Sequence, residues 1–168
     1  MAKAGISKRL VKFDDPCVGH KKGGSAMVSV IAASFFGAIS GSGPATVAAL
    51  GAVLIPAMVE RGGFSAPFST ALMATASSIA IVIPPSIAFV VYASITGTSI
   101  ADMFMAGIVP GLLMGVALVI VVMLEAKKHN IKPSREKASG KERWDAFKDA
   151  FWGFLMPVII LGGIYSGM

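Results

Sequence analysis

The residues of this chain that could do chemistry are few and mostly uncharged. Ser40, Gly41, Ser42, Gly43 and Pro44 interrupt the apolar stretch GAISGSGPAT (37–46), and Pro84, Pro85 and Ser86 end the stretch IVIPPS (81–86). Pro84 and Pro85 have no N–H, so the carbonyls of Ala80 and Ile81 lose their helical donors. Freed carbonyls together with serine hydroxyls form a hard oxygen set suited to Na⁺, with Ser40, Gly41, Ser42, Ala80 and Ile81 as candidate ligands. A helix restarting after either interruption would turn its N–H groups and positive dipole end toward an anion. Ser42 is placed to cap the helix that Pro44 would start, and Pro85 suits a first helical position.

Other chemistries find less support. A nucleophilic Ser40 or Ser42 would need a base within hydrogen-bond reach, and the apolar blocks contain no His, Lys or paired acid. His20 and His129 fall in polar loops and read as exposed. No G-x-x-x-x-G-K-[ST] phosphate loop is present. The chain therefore reads as a non-enzyme with no resident cofactor. Thr75, Ser77 and Ser78 read as packing residues or as hydroxyls bonded to the preceding turn. Asp102 reads as a solvated turn residue or helix cap, and the methionines of 103–114 as core fillers. The single Cys17 excludes an internal disulfide.

Of the 168 residues, 55% are hydrophobic and only 14% are charged, far below the quarter usual in soluble domains. Between Gly24 and Leu124 the only charges are Glu60, Arg61 and Asp102; six Lys/Arg precede that region within 1–23 and eight follow within 125–150. This partition describes an all-α integral membrane protein with both basic zones cytoplasmic. The net charge of +6 does not imply nucleic acid, because the basic residues flank apolar spans without interleaved aromatics. The first twenty residues have no apolar core of signal-peptide length.

Three apolar blocks lie between the basic zones, at 24–56, 64–97 and 103–124. Equal sidedness at both ends requires an even number of crossings. The first block is too long for one straight span, at roughly 50 Å, and too short for two, which need about 40 residues and a turn. A re-entrant helical hairpin over 24–58 fits, with residues 60–61 back on the cytoplasmic side. The segment 64–97 then crosses outward as a helix broken at VIPPS, residues 96–102 turn outside, and 102–124 returns with a kink at Pro110. Residues 1–23 form a basic cytoplasmic segment and 125–143 a cytoplasmic loop. In 144–168, Trp144, Phe147, Phe151 and Leu155 recur at helical spacing, predicting an interfacial amphipathic helix that leads into a final apolar run. Two interruptions in adjacent segments suggest that they meet, since open backbone at membrane depth survives only when buried in protein or lining a cavity.

The stretches MVSVIAASFFGAISGSGPATVAALGAVLIPAMVERGG and IVIPPSIAFVVYASITGTSIADMFMAGIVPGLL, in that order, resemble the large membrane subunit of tripartite ATP-independent periplasmic (TRAP) transporters, the DctM-like family. The resemblance covers nearly the whole chain. It implies an ion-transporter-like elevator fold of two inverted repeats, each with a re-entrant hairpin and a broken helix. It also implies Na⁺-coupled import of organic acids such as C4-dicarboxylates or sialic acid across the bacterial inner membrane. The implied partners are a periplasmic substrate-binding protein and a small four-helix membrane subunit, within membrane lipid. Carried over by position, the hairpin tip is Ser40, Gly41, Ser42, Gly43 and Thr46, and the broken helix runs from Ala80 to Ser86. Ser42, Gly43, Pro44, Thr46, Pro85 and Ser86 are then the candidate substrate-binding residues. Many relatives carry a second serine where Gly43 stands, so only the backbone is offered there. Family members are longer, and the expectation is a fragment that lacks the second repeat. The alternative is a non-transporting truncated membrane protein or scaffold.

Overall fold

The computed structural model describes residues 23–131, together with positions 159, 162, 163 and 166. The expected basic segment before Gly23, the loop beyond Ile131 and the amphipathic helix with Trp144, Phe147, Phe151 and Leu155 lie outside the described residues. Within the described residues 23–131, five α-helices follow one another: α1 (Gly24–Ser40), α2 (Gly43–Glu60), α3 (Ala66–Val82), α4 (Ile87–Thr96) and α5 (Ile100–Lys128).

Local chemistry sets each boundary. Gly41 ends α1 in the left-handed region (φ +63°), where its N–H reaches the Gly37 carbonyl at 2.7 Å. Ser42 is extended and caps α2, with Pro44 in the first turn, so a two-residue link reverses the chain. Ser65 caps α3 in the same way, with its Oγ accepting from Phe68 N–H. Gly97 closes α4 in the left-handed region, and Ser99 caps α5. Asp102 stands exposed in the first turn of α5, where a carboxylate suits the dipole.

Several boundaries differ from the sequence reading. The second arm continues to Glu60, past the expected 58, and α5, helical through Pro110 as expected, runs to Lys128, past the expected 124. A proline well inside an apolar helix removes one donor without ending the helix when the neighbouring turns stay packed. Pro85 is not the first residue of α4: the break spans residues 83–86, and Ser86, the following residue, is the cap. The Pro84–Pro85 bond is cis. Met105 is exposed and Met103 and Met114 are only partly buried, because α5 lays one narrow face on its neighbours.

The helices pack around α1. Residues 26–30 are all buried, so α1 has no outward face over that stretch. It lies against α2, α3 and α5, and α3 in turn packs on both arms of the α1–α2 hairpin. Phe36, Leu50, Leu54, Met58, Met73, Ile79 and Val122 are the large side chains sealed in this core. At one end, which we term the base, a Cβ on Gly23 would stand 2.8 Å from Ala126 Cβ, and Gly62 abuts Ser25 Oγ. Arg61 and the last turn of α5 with Lys127 and Lys128 therefore share that end. His129, the C-cap of α5, is exposed there and 3.1 Å from Glu125.

The hairpin tip is at the opposite end of α1, level with the break between α3 and α4. Beyond the tip, α4 continues for ten residues at a 41° bend, about 15 Å at the helical rise. Both α2 and α5 are long and apolar enough to cross a bilayer, and α3 with α4 makes a third span if counted as one bent unit. Large apolar side chains on the outward surfaces of α4 and α5, among them Ile95, Val109, Leu113 and Leu124, are more than half exposed. Lipid or further protein is the environment such a surface requires.

Gly41 meets two constraints at once, its positive φ and a space in which a Cβ would stand 2.9 Å from Pro85 O. Gly41→Ala should cost about 1–2 kcal/mol for the left-handed backbone and more for the collision. Gly63, with φ +69° and open space around it, should pay only the first cost. Thermal unfolding in detergent checks the order, with Gly41→Ala falling below Gly63→Ala.

Candidate functional site

The two interruptions meet through their backbones. Ile87 N–H, at the start of α4, donates to Gly41 O at 3.3 Å, joining tip to break across 46 positions of sequence (87 minus 41). The absence of a side chain on Gly41 permits the approach. Gly43 lies equally close to α3, where a Cβ would stand 3.1 Å from Ser77 O and 3.4 Å from Ile81 Cδ1. Below the tip, Gly37 rests on Ala80: an added Cβ would meet Ala80 Cβ at 2.6 Å and Cα at 2.7 Å. The start of α2 and the last turns of α3 thus face each other at backbone distance.

Hydroxyls take up the backbone groups that the turn and the prolines set free. Ser86 Oγ donates to Ile81 O at 2.5 Å, replacing the N–H that Pro85 lacks, and accepts from Phe89 N–H at 3.4 Å. Thr46 Oγ1 donates to Ser42 O at 2.9 Å. Ser40 Oγ lies 3.3 Å from Ser42 O, Ser42 N and Thr46 Oγ1 alike. Three oxygens, Ser40 Oγ, Ser42 O and Thr46 Oγ1, consequently form a triangle with edges of 2.9–3.3 Å. Two of those edges are long for an O–H···O bond. Thr46 and Ser86 are buried and Ser40 and Ser42 partly so, while Pro44 and Ala45 are exposed.

Neutral oxygens and amide N–H groups are all that this site offers. Among the described residues no cluster of three His, Cys, Asp or Glu could hold a metal ion, so transition-metal ligation has no donor set here. His129 caps the far end of α5, 18 residues from Gly111, which packs on the break; that is about 27 Å along the helix. Thr75 and Ser77 return their hydroxyls to Ala71 O and Ala74 O of their own helix. The Ala80 carbonyl loses the Pro84 donor, and Ala80 itself is fully buried.

The structure thus brings Ser40, Gly41, Ser42, Gly43 and Thr46 together with Ile81, Pro85 and Ser86, while Pro44 faces outward. Sequence reasoning missed three contributors. Gly37 is the contact that lets α1 cross α3, and its signal is its place one turn before Gly41. Gly107 and Gly111 bring α5 equally close to residues 82–83, and their signal is the four-residue spacing favoured where membrane helices touch.

Paired helix breaks, closed on each other inside an apolar bundle with spanning-length helices, define an all-helical membrane protein of the kind built around discontinuous helices. The family model described as "Tripartite ATP-independent periplasmic transporter, DctM component" matches residues 1–168, and the chain belongs to that family. It is 45% identical over 167 residues to a C4-dicarboxylate TRAP transporter large permease protein DctM of Pseudomonas aeruginosa, covering 99% of this chain and 39% of that protein. A protein of the same description from Vibrio cholerae is 44% identical, covering 100% of this chain and 37% of its own length. An isethionate TRAP transporter permease protein DctMQ of Oleidesulfovibrio alaskensis is 46% identical, covering 100% of this chain and 26% of its own length. The chain thus spans about two-fifths or less of these relatives.

Ser86 is 1% exposed and serves both sides of the break. Ser86→Ala should destabilise the fold by about 1–3 kcal/mol, the cost of a buried carbonyl left unpaired plus a lost cap. Thr75→Ala, whose hydroxyl bonds its own helix at an exposed position, should change stability by less than about 0.5 kcal/mol. Unfolding of the two variants side by side in detergent checks the difference.

Proposed function

We propose that this chain supplies the first hairpin and first broken helix of a Na⁺-coupled, binding-protein-dependent permease that imports organic acids across the bacterial inner membrane. The observation that carries the proposal is the closure of tip on break, Gly41 O to Ile87 N–H, with the oxygen triangle beside it. Na⁺ would enter that triangle by displacing the hydroxyl protons from their present acceptors, with backbone carbonyls of Gly41, Ala80 and Ile81 as further ligands. The N-termini of α2 and α4 converge on the same place. Their unused donors, Gly43 N–H and Ala88 N–H, would attract a carboxylate or sulfonate. The substrates named for the relatives, C4-dicarboxylates and isethionate, are anions of this kind. Coupling then follows, because an ion that orders the tip raises the fraction of chains able to accept the acid.

Two features support the re-entrant topology. The base gathers Arg61, Lys127 and Lys128 at one end, in keeping with a single cytoplasmic side. The tip stops level with the break, and α4 and the first turns of α5 continue beyond it. Resemblance to the family adds an elevator motion, a second inverted repeat, a periplasmic substrate-binding protein and a small four-helix membrane subunit; the name DctMQ of one relative is in keeping with the last.

Proteoliposomes containing the full permease and its partner proteins test the reading. Uptake of a labelled C4-dicarboxylate or sulfonate should require an inward Na⁺ gradient and should weaken in Ser40→Ala through a higher half-saturating Na⁺ concentration. Uptake of every acid tried that is indifferent to Na⁺ would refute the coupling. For the topology, Arg61→Cys should react with a membrane-impermeant maleimide only from the cytoplasmic side, and labelling from the periplasm would overturn the hairpin.

A further inference from the structure

We infer that Gly107 and Gly111 of α5 are positioning residues for the ion site, acting by letting a bare helix backbone seat residues 82–83 of the break; the inference rests on the Na⁺-coupled reading above. The first two residues after Ile81, whose carbonyl the prolines set free, are the ones that α5 touches. A Cβ on Gly107 would collide with Val82 O and stand 2.5 Å from the Phe89 ring. A Cβ on Gly111 would collide with Ile83 Cγ1 and lie 3.4 Å from Ile83 N. From the other neighbour, Gly37 of α1 closes on Ala80 at 2.6–2.7 Å. Residues 80–83 are therefore held at backbone distance by two separate helices.

The contact is local to the break rather than a general property of α5. Gly115 continues the same four-residue spacing, yet a Cβ there would meet nothing within 4 Å. The side chains of α5 offer no ligand at the break, since residues 100–128 contain no Ser, Thr, Asn or Gln and their two carboxylates lie elsewhere, on Asp102 in the exposed first turn and on Glu125 at the base beside His129. The effect of α5 on the site must pass through where it holds Val82 and Ile83. A displacement there would shift the Ile81 carbonyl and the Ser86 hydroxyl bonded to it. The approach of Ile87 N–H to Gly41 O would shift with them.

The test uses the full permease purified in detergent, with thermal unfolding followed against Na⁺ while choline holds the ionic strength constant. Gly111→Ala should raise the half-saturating Na⁺ concentration about tenfold, the scale on which changes outside the ligand shell alter metal affinity. Its unfolding temperature without Na⁺ should fall, because Cγ1 is the near end of a β-branched side chain and must carry the residue 83 backbone with it. The Na⁺ response is therefore read as the half-saturating concentration of each variant against its own Na⁺-free baseline. Adding Ile83→Ala removes the colliding atoms and should bring the Na⁺ response back to within about twofold of wild type, as coupled neighbours do. Gly115→Ala should match wild type. A wild-type protein with no Na⁺ response would overturn the ion reading and this inference together. A responsive wild type with unchanged Gly111→Ala, or a defect that Ile83→Ala leaves in place, would overturn the positioning role and leave the ion reading standing. If neither the single nor the double variant folds, Gly111 is a packing residue and the inference fails.

Discussion

Every part of this structure answers to one constraint, that a backbone opened inside an apolar bundle must find hydrogen-bond partners there. Each missing bond costs several kcal/mol in hydrocarbon. The two interruptions meet this by serving each other. Gly41 has a carbonyl beyond the end of α1, Ile87 has an N–H before the first turn of α4 closes, and the two join at 3.3 Å. Ser86 substitutes for the N–H that Pro85 cannot provide, and Thr46 takes the carbonyl of Ser42. What remains between tip and break is a small set of oxygens and N–H groups with long contacts, the kind of surplus that a ligand can use.

Such a join demands close helices, and close helices demand small residues. Lipid offers no hydrophobic drive for one apolar helix to leave it for another, so association depends on packing and on backbone approach. Gly37 against Ala80, Gly43 against Ser77 and Gly107 against Val82 provide that approach on three sides of the break. The bulky core residues Leu54, Met58 and Met73 are buried further from the break along their helices. Polarity is divided too: oxygens sit at the tip, the charges Glu60, Arg61, Lys127 and Lys128 gather at the base, and Asp102 stands exposed at the other end of α5.

Much of this was legible from residue types. Gly41 before Ser42, with Pro44 following, spells a helix stop, a cap and a restart, and the structure has all three. Pro84-Pro85 spells a break, and the break is there. Membership of the DctM family was legible in the same motifs. Less visible was the assignment of Ser86 rather than Pro85 to the start of α4. A proline in the first turn and a serine at the cap are both sound local choices, and only the position of the Ile81 carbonyl decides between them. The ends of α2 at Glu60 and of α5 at Lys128 were also hidden, since both helices outrun their apolar stretches. The methionines of α5 read as core, but a helix with one narrow contact face leaves Met105 outside.

Sequence alone therefore determined that the chain leaves the helix at Gly41–Ser42 and at Pro84-Pro85, and which side chains stand ready there, because two successive missing N–H groups and glycine's access to positive φ are covalent facts. It also determined the division between charged ends and apolar middle, since desolvating a lysine or aspartate inside the bundle is prohibitive. Only the tertiary structure decided which orphaned group meets which. Pairing Gly41 with Ile87 depends on α1 crossing α3 at Gly37 and Ala80 and on α5 resting on Val82 and Ile83. Hydrogen bonds are selective over tenths of an ångström, and no local pattern carries distances between segments so far apart in the chain.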